Sequence, residues 1–227
     1  IRPRDWSSDV CSSDLAGPAH DRLGVPAVAR LPAARPEDEE VAGRRGAVGH
    51  RRQEELDHDA INSGDIYVVD PIDGTENFTS GLPEWGISIS HYSKGKHAAS
   101  MLWCPEMNLW LDSRKPKITA CTRSRIAGIS SSMRIEDLTK VTPGYEYRMF
   151  GCCVYSMIQT VRGCFNSFEN PRRANSWDIL AGLNIARINE LSVKVNGYDY
   201  TGDYLHSSVK YSFRIEHTIH DIEDRSF

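Results

Sequence analysis

No lysine precedes Lys94, and no isoleucine lies between Ile1 and Ile61. These two absences set the first 52 residues apart from the rest. Ala16 to Arg52 is dominated by Ala, Arg, Pro and Gly, the composition of a GC-rich frame read out of register or of a flexible Pro-rich extension. Ahead of it, Trp6 to Leu15 reads WSSDVCSSDL, which fits neither the helix period nor the strand period. Residues 1–52 are therefore set aside as an anomalous segment, non-native or disordered, and folding information is expected to begin near Gln53.

Other absences exclude whole classes of function. No apolar run approaches the roughly 18 residues of a membrane span, and the N-terminus has no apolar stretch of a secretory signal, so the chain is read as cytoplasmic with no membrane partner. There is no excess of basic residues: 27 Lys+Arg stand against 31 Asp+Glu. A nucleic-acid polymer, which is held through its phosphates by clustered Lys and Arg, is not an expected partner. The six cysteines, Cys11, Cys104, Cys121, Cys152, Cys153 and Cys164, form no C-x-x-C pair, which argues against a zinc site or a disulfide framework and for reduced, mostly buried thiols. With 40% hydrophobic and 9% aromatic residues, the chain can bury a core.

Asp65 to Val69 (DIYVV) is a β-branched and aromatic run stopped by Asp70-Pro71, as expected of a buried strand. Trp85 to Tyr92 and Ala98 to Cys104 alternate around a Ser93-Lys94-Gly95-Lys96 turn, and Leu109-Trp110-Leu111 follows a second turn, which predicts an antiparallel meander. Lys117 to Thr122 and Ile126 to Ser131 are further strand candidates. Val154, Met157, Ile158 and Val161 recur at helical spacing within Cys153 to Arg162, and Asn175-Ser176-Trp177-Asp178 places a cap or first-turn carboxylate ahead of a helix reaching Ile188. Leu191 to Val195 and Asn196-Gly197 read as a strand and turn. Pro171-Arg172-Arg173 reads as a loop. His97, His206, His217 and His220 show no ligand spacing and are taken as surface residues.

The chemistry concentrates in Asp70-Pro71-Ile72-Asp73-Gly74-Thr75. Two carboxylates straddle a proline that stiffens the backbone, and main-chain carbonyls join them as hard oxygen donors of the kind Mg²⁺ requires. Gly74 and Thr75 can offer a backbone N–H and a hydroxyl to a phosphate. Taken alone, the same residues could be an Asp-Pro turn followed by an Asp-Gly turn. Asn77-Phe78 directly after, the acidic pair Glu54-Glu55 upstream and Trp177-Asp178 opening a later helix favour the site.

Asp70 to Phe78 (DPIDGTENF) resembles the D-P-[IL]-D-G-T-x-N-F signature of the inositol monophosphatase superfamily of metal-dependent, lithium-sensitive phosphomonoesterases. Trp177 to Gly182 (WDILAG) is similar to its W-D-x-A-[AG]-G signature. The resemblance runs from about Gln53 to Gly202. It implies that Glu55, Asp70, the Ile72 carbonyl, Asp73 and Asp178 hold two or three Mg²⁺ ions, with Glu55, Asp73 and Thr75 acting in catalysis. Gly74, Thr75, Gly151, Glu169 and Asp178 would contact the substrate. Three departures mark this chain. Gln53 stands where the family has the glycine of G-E-E, so Glu55 is chosen as ligand over Glu54 and Glu40. The family's N-terminal D-x-x-T-x-x-D helix has no counterpart, and Cys152-Cys153 replaces small residues after the pocket glycine. The family's polyol-binding glutamate lies seven residues before the aspartate of W-D, where Pro171 stands; Glu169 takes that role if Pro171-Arg172-Arg173 is an insertion. Arg172 and Arg173 could instead meet a second phosphate.

The expected fold is α/β, or α+β by stricter naming, a layered α-β-α-β-α sandwich. Residues 53–140 would form an antiparallel-sheet domain carrying the metal loop, and 141–227 a C-terminal α/β domain supplying Asp178. The expected function is Mg²⁺-dependent hydrolysis of a small phosphorylated metabolite by a homodimer, with inositol monophosphate as substrate. The alternatives are a 3′(2′),5′-bisphosphate nucleotidase and a truncated remnant that binds metal without turnover. A haloacid dehalogenase-type phosphatase is disfavoured, because its loop aspartates stand two apart rather than three and it uses the first as nucleophile.

Overall fold

The computed structural model describes residues 58–118, 124–134, 136–137 and 144–217. Residues Arg51–Phe227 form one compact unit. The anomalous segment and the junction expected at residue 140 lie outside the described residues. So do Cys11, Cys121, His220 and most of the strand expected at Lys117 to Thr122.

A short helix α1 (His58–Ser63) leads into β1 (Asp65–Asp73), helix α2 (Thr75–Thr79), β2 (Gly86–Ser93), β3 (Lys96–Cys104) and β4 (Leu109–Asp112). The four strands make an antiparallel sheet in sequence order, because tight turns such as Lys94-Gly95, both at positive φ, return each strand beside the last. Next come β5 (Ile126–Ile129), β6 (Glu146–Arg148), helix α3 (Cys153–Val161), β7 (Ser167–Asn175), helix α4 (Ser176–Ile188), β8 (Ser192–Val195), β9 (Tyr198–Asp199) and β10 (Lys210–Glu216). Their strands form a second sheet in the order β6-β5-β7-β10-β8-β9, with β5 parallel to both its neighbours and the remaining pairs antiparallel.

Helices α3 and α4 contact both sheets and so form the layer between them. They cross closely because α4 carries Gly182 at the contact: a Cβ built there would stand 1.8 Å from Met157 Sδ. One core runs through all three layers, with Tyr92 and Leu102 from the first sheet, Met157 and Ile158 from α3, Ile179 and Leu183 from α4, and Phe168 and Ile215 from the second sheet. The α/β class expected from the sequence is what the structure shows. No helix among the described residues is long and apolar enough to cross a membrane.

Three expectations are corrected. The strand at Asp65 to Val69 is not buried: β1 is an edge strand with Tyr67 and Val69 exposed, and it continues through Pro71 to Asp73. Pro171-Arg172-Arg173 is not a loop but part of β7, where the five residues from Asn170 to Ala174 stand opposite the three from Phe213 to Tyr211 of β10. That register shift is a bulge, and a bulge is where a proline can sit inside a sheet. Two of the histidines expected on the surface hold buried or capping partners. His97 is half-buried and bonded to Ser100 Oγ at 2.8 Å, and His217 Nε2 lies 2.6 Å from the Thr160 carbonyl near the end of α3. Among the described cysteines none is disulfide-bonded; Cys104 and Cys152 are buried and Cys164 is exposed.

Candidate active site

Residues three apart on a regular strand point to opposite faces. Asp70 and Asp73 escape this rule because β1 is bulged: Asp70 sits opposite Ser88 and Asp73 opposite Gly86, four residues against three. The bulge at Pro71-Ile72 therefore turns both carboxylates to one side. Asp70 Oδ1 accepts from the Ile72 N–H at 3.1 Å, and Thr75 Oγ1 donates to the Ile72 carbonyl at 3.0 Å, so the motif closes on itself. Gly74 turns the chain at φ 79°, with a Cβ there placed 3.0 Å from Cys152 Cβ and 3.1 Å from the Glu84 carbonyl. Asn77 fastens the loop: its Nδ2 donates to the Glu84 carbonyl at 2.7 Å and to the Phe150 carbonyl at 2.6 Å.

Asp178 arrives from the first turn of α4. Its Oδ2 accepts from the Asn175 backbone N–H at 3.1 Å and the Asn175 side-chain amide at 3.2 Å, the reach-back of a capping carboxylate. Ser88 of β2 donates to the Trp177 carbonyl at 3.1 Å and ties that turn to the first sheet. A cavity of about 340 Å³ results, lined by Asp70, Ile72, Asp73, Gly74, Thr75, Gly151 and Asp178 among others. Seven of the nine expected site residues thus share one cavity.

Burial dominates the electrostatics. It raises the Asp70 carboxyl to about 6, with Asp178 beside it adding to the rise, and Asp178 is itself raised by burial. Asp73 is pushed up to about 7 by burial, against the two donors that hold its Oδ2: the Val154 N–H at 2.6 Å and the Cys152 thiol at 2.9 Å. Like charges confined in one recess are costly, and a cation would relieve them.

For a divalent cation the donor chemistry fits and the assembly is partial. The cavity offers hard oxygens from Asp70, Asp178 and the Ile72 carbonyl, but among the described residues no three His, Cys, Asp or Glu side chains are grouped to hold a metal ion. Asp73 reaches the cavity wall beside them and turns its Oδ2 toward the start of α3. Glu40, Glu54 and Glu55 lie outside the described residues.

Glu169 does not line the cavity. Its neighbours Phe168 and Asn170 do, and strand alternation sends Glu169 to the other face, where Arg214 Nη1 donates to it at 2.8 Å. Of the two arginines, Arg172 is engaged by Asp137 at 2.6 Å and Glu136 at 3.0 Å, whereas Arg173 lines the cavity. Sequence reasoning missed Ser130, Ser131 and Ser132, which line the cavity from the turn after β5; the hydroxyl run ending an apolar strand was the available signal.

Residues 28–116 match the family model of the inositol monophosphatase family. Over this stretch the chain is similar to that family. The match begins inside the segment set aside as anomalous and takes in Glu40, Glu54 and Glu55 as well as the β1 motif. A Thermotoga maritima protein named fructose-1,6-bisphosphatase/inositol-1-monophosphatase is 26% identical over 54% of this chain and 53% of its own length. Nus factor SuhB of Escherichia coli is 27% identical over 54% of this chain and 43% of its own. The chain spans about half the length of these curated relatives. A solved inositol monophosphatase/NADP phosphatase in complex with Mg²⁺ and phosphate shares the fold at TM-score 0.60 and 17% identity, over 74% of this chain and 66% of the other. Staphylococcus aureus inositol monophosphatase II aligns at TM-score 0.55 and 22% identity, over 69% and 64%.

Proposed function

We propose that this chain is a member of the inositol monophosphatase family and hydrolyses a small phosphate monoester in a divalent-cation-dependent reaction. The observation that carries the reading is the cavity in which the β1 bulge and the first turn of α4 bring Asp70, Asp73 and Asp178 together beside Gly74 and Thr75. Bound Mg²⁺ would neutralise the phosphate and activate a water. Asp70, Asp178 and the Ile72 carbonyl would hold it, with Glu55 as the ligand expected from the family resemblance. Asp73, clamped by the Val154 N–H and the Cys152 thiol, keeps a carboxylate at a fixed position on the cavity wall. The Thr75 hydroxyl, positioned by its donation to the Ile72 carbonyl, presents its oxygen beside the same cavity. Inhibition by Li⁺ and a homodimer belong to the reading through the resemblance, and a cytoplasmic location through the sequence.

Inositol monophosphate is the substrate suggested first by the family. A second reading, a bisphosphorylated substrate, is favoured by a specific observation: Glu169, the candidate for polyol hydroxyls, faces Arg214, while Arg173 lines the cavity. The test is phosphate release from a panel of both substrate kinds in Mg²⁺ and in excess chelator. The reading expects turnover that chelator abolishes and that Asp178→Asn lowers by at least about a hundredfold. Equal rates with and without chelator would overturn it.

A further inference from the structure

Two thiols meet at the wall of the cavity. Cys104 ends β3 and Cys152 caps α3, and both belong to the core shared by the three layers. The start of α3 packs there against Gly86 of β2 and the end of β3: a Cβ on Gly86 would stand 2.5 Å from Val154 Cγ1 and 2.8 Å from the Trp103 carbonyl. Cys152 Sγ is hydrogen-bonded to the Cys104 thiol, donates to Asp73 Oδ2 at 2.9 Å and accepts from the Tyr155 N–H at 3.3 Å. The Cys104 bond, burial and the Asp73 charge push this thiol far above its usual range, so it stays protonated. Cys152 lines the cavity, whereas Cys104 is fully buried.

We propose that Cys104 and Cys152 are a redox-sensitive pair, and that their oxidation to a disulfide by a peroxide entering the cavity switches the site off. The effect on turnover rests on the phosphomonoesterase reading; the disulfide itself does not. The cavity of about 340 Å³ admits a molecule the size of hydrogen peroxide, and Cys152 is the member of the pair that such a molecule reaches. Attack of the Cys152 sulfur on the peroxide O–O bond gives a sulfenic acid and one water, which carries off the thiol proton. The Cys104 sulfur then displaces the hydroxyl, which leaves as a second water with the Cys104 proton. Two electrons pass from the sulfurs to the peroxide, and an added dithiol returns them. A bridged Cys152 sulfur has no proton to give, so its lone pairs face the Asp73 carboxylate and the Val154 N–H alone still holds that Oδ2. A sulfur drawn toward Cys104 also weakens the cap it gives to the Tyr155 N–H. Protonated thiols are poor nucleophiles, so the bridge forms more slowly than exposed Cys164 is oxidised.

The experiment treats the full chain with hydrogen peroxide, maps its disulfides by mass spectrometry of unreduced peptides, and follows phosphate release in Mg²⁺ before and after dithiothreitol. The expected product is a Cys104–Cys152 bridge, with turnover lowered about tenfold or more, as for a donor taken from a charged group, and restored by dithiothreitol. Cys104→Ala and Cys104→Ser are expected to keep the parent's turnover when reduced and to escape the reversible loss. Cys164→Ser, at an exposed position, is expected to behave as the parent. No bridge, a bridge from Cys152 to any other cysteine, or an equal reversible loss in both Cys104 variants would overturn the pair. If no compound is hydrolysed under any condition, the phosphomonoesterase reading fails, and the peptide map alone decides whether the two thiols join.

Discussion

Replacing Asn77 by Ala removes the fastening of the Asp70–Thr79 segment. The Asn77 amide nitrogen donates to two carbonyls, Glu84 at 2.7 Å and Phe150 at 2.6 Å, and so links the loop after the β1 motif to the chain entering Gly151. Both acceptors are partly buried, and alanine leaves both without this donor. A net hydrogen bond is worth about 1 kcal/mol and an abandoned buried partner about 1–3 kcal/mol, so the pair together predicts a loss of about 2–3 kcal/mol. For a unit of this size each kcal/mol lowers Tm by about 2–4 °C, giving a fall of roughly 4–12 °C. Asn77→Asp is the sharper test. It keeps the volume but sets a carboxylate against two carbonyl oxygens, and it is expected to cost at least as much. Gly151 is affected as well, because Asn77 Oδ1 lies 3.0 Å from where a Cβ on it would stand. Turnover should therefore fall with stability. Urea unfolding and thermal melts of parent and both variants measure the effect, and a loss below about 0.5 kcal/mol in both would refute the fastening.

Asp73→Asn keeps the volume of a buried side chain while removing its charge, and it is expected to leave the melt near that of the parent while phosphate release drops at least about a hundredfold; unaltered turnover would remove Asp73 from the site. Tyr92→Phe strips a fully buried hydroxyl that accepts from Asn184 Nδ2 at 2.8 Å and lies 3.1 Å from the Tyr200 hydroxyl. Both neighbours keep another partner, so the expected cost is about 1–2 kcal/mol in urea unfolding. His97 titrates below the ordinary histidine range, because burial disfavours its charged form and the Arg187 charge adds to the effect. The unfolded chain then binds the proton more readily than the folded one. Stability is expected to fall as pH drops through and below the ordinary histidine range, and His97→Gln should flatten that slope in melts between about pH 7 and 5, where an unperturbed histidine charges.

Much of the first sheet was legible because its strands are neighbours in sequence. DIYVV, WGISISHY and AASMLWC each carry their own alternation, and the turns between them carry their own residues. The motif loop was legible as chemistry only with Asn77-Phe78, Glu54-Glu55 and Trp177-Asp178 beside it, since two aspartates around a proline also suit two consecutive turns. What brings Asp70 and Asp73 to one side, however, is a bulge defined by pairing with Ser88 and Gly86, a fact of register rather than of the motif. The same limit explains Glu169 and Arg173. Their separation from Asp178 along the chain is plain, but which face each takes depends on a bulge against Tyr211 and Phe213, nearly forty residues away as the chain runs. Proline and two arginines read locally as a loop, and only the partner strand makes them a strand with surplus residues. The serines after β5 escaped notice because a hydroxyl-rich turn has many uses when its spatial neighbours are unknown.

The most direct test of the site is a calorimetric titration of Mg²⁺ into the purified full chain, with Asp70→Asn and Asp178→Asn measured alongside and phosphate release followed on the same samples. Hard oxygen donors in a buried, carboxylate-lined cavity predict Mg²⁺ binding in the parent, its loss or at least about tenfold weakening in each variant, and phosphate release that tracks occupancy. Phosphate release that persists undiminished while neither the parent nor the variants bind Mg²⁺ would contradict the account.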